Sequence, residues 1–351
     1  MVSSVGLACV VSVLLTPCVI ALCKKRGWYD EVDPRKMHSN AVPRLGGFCV
    51  FVAFALAAFV YIRFFSPEDY FFSLPLFVGG LIIFLAGVID DFLNLRARLK
   101  FVIQIVAGII VAVSPLYFKQ FFGFVFPPLV GRFFTFFWII GLVNAYNLID
   151  GLDWLCGGLS FLTLLTMGIF LTFYQRDAGV LYFILCGALA GFLFWNKPPA
   201  KIFLGDGGSQ TLGYFIAVSP LFNRFGRFED TKILVMCLLV SIPVTDVFAA
   251  VWRRKRDHRS FFSADRAHIH HKLVNIGFSK VATVGALLAL QLLICLSAIG
   301  TLYMTGKKAA IVLLSISIAF VEVFFIAIHY INRAVNLKFK GHLDAAPQEE
   351  H

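Results

Sequence analysis

Apolar runs follow one another along most of the chain, with short polar segments between them. A helix needs about 20 consecutive apolar residues to span the hydrocarbon core of a bilayer. The runs predict eleven such helices, near 3–22, 45–64, 73–89, 101–116, 131–148, 155–174, 178–195, 209–222, 231–251, 281–304 and 308–331. We therefore expect an all-α polytopic membrane protein, with a single integral-membrane domain over residues 1–335 and a disordered tail over residues 336–351.

The composition favours a membrane protein over a pair of soluble domains. Hydrophobic residues make up 59% of the chain and charged residues 15%, whereas soluble domains average about 45–50% and 25%. The first apolar run has no basic segment before it, so we expect a retained span instead of a cleaved signal peptide. The eight cysteines form no Cys-x-x-Cys pair, and we interpret them as buried thiols without a metal or a disulfide.

The basic residues indicate an orientation. With the N-terminus outside and the C-terminus cytoplasmic, 22 of the 31 lysines and arginines fall in cytoplasmic loops or the tail, as the positive-inside rule requires. The net charge of +11 is then typical of loops facing anionic phospholipid, and no nucleic-acid partner is expected. We therefore expect a protein that crosses its membrane many times.

Carboxylates are scarce, and several stand at the edges of apolar runs. Of the 20 acidic residues, five have this position: Asp90, Asp91, Asp150, Asp153 and Asp206. A carboxylate beside hydrocarbon is costly unless it is paired, metal-bound or hydrated, so a functional site is the default interpretation. The predicted orientation places all five on the cytoplasmic side. The sequence thus predicts one site, built from cytoplasmic loops and suited to metal-dependent phosphate chemistry.

The segment IDDFLNLRARLK (89–100) joins two carboxylates to basic residues. Asp90 and Asp91 can divide their work, one binding a cation while the other takes part in proton transfer. Lys100 can meet a phosphate as a point charge. For the basic residues alone, a solvated loop is an open alternative.

Two other segments carry carboxylates, amides and glycines. In NAYNLIDGLD (144–153) polar residues recur every three positions, and neighbouring members of this row share a helix face: Asn144, Asn147, Asp150 and Asp153. Amide and carboxylate oxygens suit a hard cation or a polar head group, although helix capping is the alternative. In FLGDGGS (203–209) backbone N–H groups can cradle a phosphate while Asp206 holds its metal, or the segment is a plain turn.

Two loops supply basic side chains suited to an anion. They lie in DPRKMHSNAVPR (33–44) and ADRAHIHHKL (264–273), and the candidates are Lys36, His38, Arg44, Arg266, His268, His270 and His271. Clustered histidines without a spaced partner are weak signals for zinc, whereas protonatable and basic groups together suit a pyrophosphate or a lipid phosphate. An electrostatic patch on the membrane surface is the alternative.

Together these segments resemble a known enzyme family. DPRKMHSNAVPRLGG, DDFLNLRARLKFVIQ, NAYNLIDGLD, FLGDGGSQTLG and ADRAHIHHKL appear in family order between about residues 30 and 273. They are similar to motifs of the polyprenyl-phosphate N-acetylhexosamine-1-phosphate transferases, the glycosyltransferase 4 family. The HIHH form of the last segment resembles the WecA/TagO branch.

The resemblance implies a reaction. A UDP-N-acetylhexosamine, foremost UDP-GlcNAc, would give its sugar-1-phosphate to undecaprenyl phosphate and release UMP. The product would be the first lipid-linked intermediate of an O-antigen, common antigen or teichoic acid. UDP-GalNAc or UDP-MurNAc-pentapeptide as donor remains open, as do an aspartyl-phosphate intermediate, an inactive paralogue and, from a different class, a lipid-phosphate transporter. The oligomeric state stays open too, with a homodimer as one candidate.

The resemblance also implies roles for residues. The catalytic candidates are Asp90, Asp91, Asp150 and His268. Mg²⁺, with Mn²⁺ as a substitute, is expected on Asp206, Asp91 and Asp150. Substrate contacts are expected from Lys36, His38, Arg44, Lys100, Asn144, Asn147, Asp153, Arg266, His270 and His271.

One residue departs from the family pattern. The chain reads DGLDWL where the family usually reads DGLDGL, so Trp154 replaces a small residue. Its ring either reshapes the sugar pocket or packs into lipid, and the first alternative would change the donor sugar without changing the type of reaction.

Overall fold

The structure is a computed structural model that describes residues 2–29, 42–65, 74–121, 124–174, 176–221, 231–260 and 267–344. Thirteen α-helices occur in these ranges: α1 Val2–Arg26, α2 Gly46–Phe65, α3 Leu74–Leu93, α4 Ala97–Val113, α5 Pro128–Ile149, α6 Leu155–Tyr174, α7 Arg176–Asn196, α8 Gly205–Val218, α9 Lys232–Leu239, α10 Ser241–Arg256, α11 Ile269–Ile276, α12 Lys280–Gly300 and α13 Lys307–Asp344. Two short strands, β1 (Gln120–Phe121) and β2 (Phe124–Val125), pair antiparallel between α4 and α5. The prediction of an all-α polytopic membrane protein is confirmed at this level.

The predicted number of eleven spans is not confirmed. Within the described ranges eight helices are long and apolar enough to cross a membrane, or nine if α9 and α10 are one bent span. The predicted spans 101–116 and 209–222 correspond to α4, with 17 residues, and α8, with 14. Every residue of α8 except Asp206 is buried within the protein. Its apolar run therefore reflects packing inside the protein, which hydropathy alone does not separate from exposure to lipid.

The predicted span 231–251 is broken in the structure. The axes of α9 and α10 differ by 72°, and Val240 between them has a non-helical backbone. Pro243 lies in the first turn of α10. Proline lacks a backbone N–H and its ring clashes with the carbonyl four residues earlier, so the helix cannot continue unbroken through Leu239.

The last helix of the structure continues into the predicted tail. α13 continues to Asp344, whereas disorder was expected from residue 336. Adding residues to an existing helix costs far less than starting a new one, so the helix extends beyond its apolar portion. Residues 345–351 lie outside the described ranges.

Glycines at the start of α8 let this helix lie against its neighbours, and α8 packs on α2, α3 and α5. A Cβ added to Gly87 of α3 would lie 2.5 Å from the Gly207 Cα, and one added to Gly47 of α2 would overlap the Gly208 backbone. Such separations are too short for any side chain larger than hydrogen. The close approach fixes where the first turn of α8, with Asp206, stands relative to α2 and α3.

Candidate active site

A lysine joins two of the carboxylates. The Lys100 ammonium, in the first turn of α4, lies against Asp90 Oδ2 and 2.9 Å from Asp206 Oδ2. Asp90 is in the last turn of α3 and Asp206 in the first turn of α8. Three helix ends thus meet at one amine.

A tight reversal between α3 and α4 brings Lys100 back to Asp90. Asn94 adopts a left-handed backbone with φ of 47°, a conformation that asparagine tolerates better than most residues. Its N–H donates to the Asp90 carbonyl at 2.9 Å, and the Leu95 N–H donates to Asp90 Oδ1 at 2.7 Å. Asp90 therefore holds the turn with one oxygen and contacts Lys100 with the other.

Asp91 holds the beginning of α8. Its two oxygens accept the backbone N–H groups of Asp206 at 2.8 Å and Gly207 at 3.0 Å. These N–H groups have no partner within the helix, and a carboxylate there also complements the helix dipole. Gly205 has a φ of +74°, and a Cβ there would collide with Asp91 and the Arg44 carbonyl. The Asp91 side chain is 2% exposed, so its observed role is to fix the Gly-Asp-Gly-Gly turn.

Arg44 reaches the same carboxylates from the segment before α2. Its Nη2 lies 3.5 Å from Asp206 Oδ1, and its Nε lies 4.0 Å from Asp91 Oδ1. The segment is held by backbone hydrogen bonds with the strip before α8, including Phe203 N–H to the Pro43 carbonyl at 2.8 Å. Two cationic side chains, Arg44 and Lys100, therefore flank Asp206.

Amide side chains connect α5 to this cluster. Asn144 donates to Gln104 Oε1 at 2.7 Å, and Gln104 donates to Gln210 Oε1 at 3.1 Å. Gln210 in turn donates to Asp206 Oδ2 at 3.4 Å. The sequence prediction gave no role to Gln104, which lies four residues after Lys100 in α4. Gln210 was missed, although its position one turn after Asp206 was a signal.

Asn147 and Asp150 extend the site along α5. Asn147 donates to the Ser209 hydroxyl at 3.1 Å. Asp150 ends the helix. Burial, reinforced by the negative charge of Asp206, raises the pKa of Asp150 to about 7, although Arg44 acts in the opposite direction. A carboxyl group with such a pKa exchanges protons readily near neutral pH.

Asp153 and Trp154 face a different part of the molecule. Asp153 Oδ2 accepts the Ala200 N–H at 3.0 Å, which ties the turn to the loop after α7. Trp154 has a left-handed backbone with φ of 70°, and its indole N–H donates to the Leu193 carbonyl at 2.7 Å. Asp153, expected to bind substrate, thus has a structural contact here, and the Trp154 ring is anchored to the end of α7.

The histidines lie beside the turn after α5. His270 is 2% exposed and packs so closely on Gly151 that a Cβ there would overlap its ring. Burial lowers the pKa of His270 to about 3, and its Nδ1 has no hydrogen-bond partner among the residues that the structure describes. The ring centroid of His271 is 4.4 Å away, and that of His268 is 5.9 Å away in a parallel arrangement. The structure therefore places the histidine segment against the turn that follows NLID.

Three predicted substrate contacts, Lys36, His38 and Arg266, lie outside the described residues. Within the described ranges, no group of three or more His, Cys, Asp or Glu side chains is arranged to hold a metal ion. The predicted trio of Asp206, Asp91 and Asp150 does not form such a group, because Asp91 is turned to backbone N–H groups and Asp206 contacts Lys100.

Comparison with known proteins decides the family. Residues 73–223 match the model of glycosyl transferase family 4. A Bacillus subtilis (strain 168) protein, a probable undecaprenyl-phosphate N-acetylglucosaminyl 1-phosphate transferase, is 33% identical over 93% of this chain and 90% of its own length. The protein belongs to glycosyl transferase family 4. Its similarity to the polyprenyl-phosphate sugar-1-phosphate transferases is thereby confirmed.

Other members of glycosyl transferase family 4 are nearly as similar. The undecaprenyl-phosphate alpha-N-acetylglucosaminyl 1-phosphate transferase of Escherichia coli (strain K12) is 30% identical over 78% of this chain and 76% of its own length. That of Yersinia pestis is 31% identical over 79% and 78%. The segment matched by the family model contains Asp90, Asp91, Lys100 and Asp206. The histidine segment follows beyond it.

Proposed function

We propose that the protein transfers N-acetylglucosamine-1-phosphate from UDP-GlcNAc to undecaprenyl phosphate, which releases UMP and forms the first lipid-linked intermediate of a cell-envelope polysaccharide. The observation that carries this proposal is the meeting of Asp90, Asp91, Asp206, Lys100 and Arg44, from four chain segments, at one place. The choice of substrates rests on the names of the relatives, which are 30–33% identical over most of both chains.

The reaction joins two anions, and this determines what the site must provide. An oxygen of the lipid phosphate attacks the β-phosphorus of the UDP-sugar. The bond from this phosphorus to the bridging oxygen breaks, and the electron pair leaves with UMP. Lys100 and Arg44 are placed to reduce the repulsion between the phosphates and to stabilise the charge that develops on the leaving group.

Asp150 is the better candidate to hold the proton of the lipid phosphate. Asp90, Asp91 and Asp150 are all catalytic candidates from the sequence, but both oxygens of Asp90 already have partners in Leu95 N–H and Lys100. Asp150 combines a pKa raised to about 7 with proximity to the charges of Asp206 and Arg44. Its carboxylate is therefore suited to accept a proton near neutral pH.

The residues present fit Mg²⁺, with Asp206 as the protein ligand. Asp206 and Asp90 already share a cationic ammonium, so a positive charge beside Asp206 is electrostatically favourable. Mg²⁺ prefers oxygen donors and commonly takes one or two carboxylates together with substrate phosphates, which does not require a group of three acidic side chains. When bound, Mg²⁺ or Mn²⁺ would neutralise part of the pyrophosphate charge. Lys100 and Arg44 would still be needed to position the two anionic substrates.

The proposed setting is the cytoplasmic membrane of a bacterium, with the site facing the cytoplasm. The excess of basic residues in the loops that carry the site supports this orientation.

The test is to identify the nucleotide released by purified, detergent-solubilised protein supplied with undecaprenyl phosphate and Mg²⁺. UDP-GlcNAc, UDP-GalNAc and UDP-MurNAc-pentapeptide are compared as donors. We expect UMP from UDP-GlcNAc, only when the lipid phosphate is present. UDP as the product would indicate transfer of the sugar without its phosphate, and UMP from another donor alone would change the substrate but keep the reaction. No nucleotide release from folded protein with any donor contradicts the proposal.

A further inference from the structure

A sixth carboxylate, Asp246, is buried within a helix and had no role in the sequence prediction. It belongs to α10 and is 2% exposed. An ionised carboxylate in such surroundings is costly unless it is well partnered. Its contacts therefore indicate why the fold retains it.

Both oxygens of Asp246 form hydrogen bonds with the histidine segment. Oδ2 lies 2.8 Å from His268 Nδ1, and Oδ1 accepts the Ile269 N–H at 2.8 Å. An ionised carboxylate accepts hydrogen bonds but cannot donate them. The proton of this contact is therefore carried by His268 Nδ1.

The contact with Asp246 determines which ring nitrogen of His268 is available to interact with a substrate. With Nδ1 donating to Asp246, Nε2 is the nitrogen that can meet a phosphate oxygen or exchange a proton. The second bond, to Ile269 N–H at the start of α11, holds the backbone next to the ring. The ring also lies parallel to His270, which packs on Gly151. Asp246 thus fixes the tautomer of His268 and its place in the site.

We infer that Asp246 is a positioning residue for the proposed sugar-1-phosphate transfer, and acts by holding His268 with Nε2 toward the reacting phosphates. This inference rests on the function proposed above. The competing explanation is that Asp246 only caps α11. A cap would affect stability without any particular dependence on His268.

The kinetic test compares Asp246→Asn, His268→Gln and the double variant. The asparagine can turn its amide N–H toward the ring, so the tautomer is no longer fixed. We expect kcat for UMP release to fall about 10- to 100-fold, as for other residues that orient a functional histidine, with KM for UDP-GlcNAc changed less than about threefold. The double variant should be no slower than His268→Gln alone, because both substitutions remove the same function. Asp257→Asn, at the exposed end of the same helix where Asp257 pairs with Arg256, is the matched control and should keep wild-type kcat.

A spectroscopic test does not depend on activity or on the folding of Asp246→Asn. Nitrogen NMR of histidine-labelled wild-type protein, with His268→Gln to identify the signals, should show Nδ1 protonated. A proton on Nε2 alone, wild-type kcat in Asp246→Asn, or multiplicative losses in the double variant would each overturn the inference. An inactive wild-type protein contradicts the proposed function itself, whereas an active wild type with an equally active Asp246→Asn contradicts only the role of Asp246.

Discussion

The Lys100 ammonium lies 2.9 Å from Asp206 Oδ2 although the two residues are 106 positions apart in the chain. This contact joins the α3–α4 turn to the beginning of α8, and it places a cation between Asp206 and Asp90. The same amine can balance the carboxylates before substrate binds and meet phosphate oxygens afterwards. It therefore links the fold of the site to its proposed chemistry.

Replacing Lys100 by glutamine tests that link. The variant loses the positive charge next to two carboxylates, so we expect kcat for UMP release to fall about 100- to 1000-fold, the usual cost of removing a group that stabilises transition-state charge. Arg98→Gln, two residues earlier on an exposed part of α4, is the matched control. Equal activity of the two variants would show that the Lys100 charge does not contribute to the reaction.

The close approach of α3 and α8 gives a second prediction. In Gly87→Ala the new Cβ would lie 2.5 Å from the Gly207 Cα, and neither backbone can move aside easily. We expect a loss of about 1–3 kcal/mol in stability, typical of overpacking, together with lower activity because Asp206 is displaced.

Gly141→Ala is the control for this substitution. Gly141 lies in α5, and no atom of the described part of the chain lies within 4 Å of an added Cβ, so alanine should be neutral there or stabilise the helix by up to about 1 kcal/mol. The melting temperatures of the two purified variants in detergent measure their stability. A Gly87→Ala protein as stable and active as Gly141→Ala would refute the packing argument.

Substitution of Trp154 tests whether the departure from the family motif changes the preference for the donor sugar. Its indole is tied to the Leu193 carbonyl, so we expect it to pack at the end of α7 instead of reading the sugar. Trp154→Gly should shift the kcat/KM ratio of UDP-GlcNAc to UDP-GalNAc by less than about threefold, which is under 1 kcal/mol.

The same substitution should change stability little. The lost indole hydrogen bond, about 1 kcal/mol, is offset by relief of a left-handed backbone that costs about 1–2 kcal/mol in a non-glycine residue. Trp154→Phe, which keeps the ring without its N–H, separates the two contributions. A tenfold change in donor preference in Trp154→Gly would assign the ring to the sugar pocket.

His270 predicts a dependence of stability on pH. Its pKa in the folded protein is lowered to about 3, whereas an unfolded histidine titrates near 6.5. Below about pH 6.5 the unfolded chain takes up a proton that the folded protein does not, so stability present above this pH is lost as the pH falls toward 3. At pH 5 the loss is about 2 kcal/mol.

Melting at pH 7.5 and pH 5 checks this prediction. The fall in melting temperature should be smaller in His270→Gln than in the wild type. His258→Gln, at an exposed histidine, should behave like the wild type. Parallel falls in all three proteins would show that His270 is not responsible.

Much of the site was predictable because its polar residues interrupt apolar runs. Asp90, Lys100 and Asp206 were all assigned from local patterns, and the structure brings them together. The packing of His270 on Gly151 likewise agrees with one site assembled from several loops. Local pattern was sufficient here because charge next to hydrocarbon is too costly to occur without a reason.

Other features depend on tertiary structure and could not be predicted from the local sequence. Hydropathy cannot tell a helix buried in protein from one buried in lipid, so α8 was counted as a span. Asp153 was expected to contact substrate from its spacing, but the helix ends at Ile149 and the side chain turns to Ala200. Asp246 was missed because it lies within an apolar run, whereas the five candidate carboxylates stand at the edges of such runs. Its meaning depends on His268, which is 22 positions away.

The most direct test of the account follows the β-phosphorus of the donor. Purified protein receives UDP-GlcNAc labelled with ³²P at the β-phosphate, undecaprenyl phosphate and Mg²⁺, with Asp206→Asn as the matched variant and a chelator as a further control. We predict that the label moves into the lipid fraction in the wild type, while UMP leaves unlabelled, and that both Asp206→Asn and the chelator abolish this transfer. Label that stays with the nucleotide in folded wild-type protein, or full transfer by Asp206→Asn, would contradict sugar-1-phosphate transfer at this site.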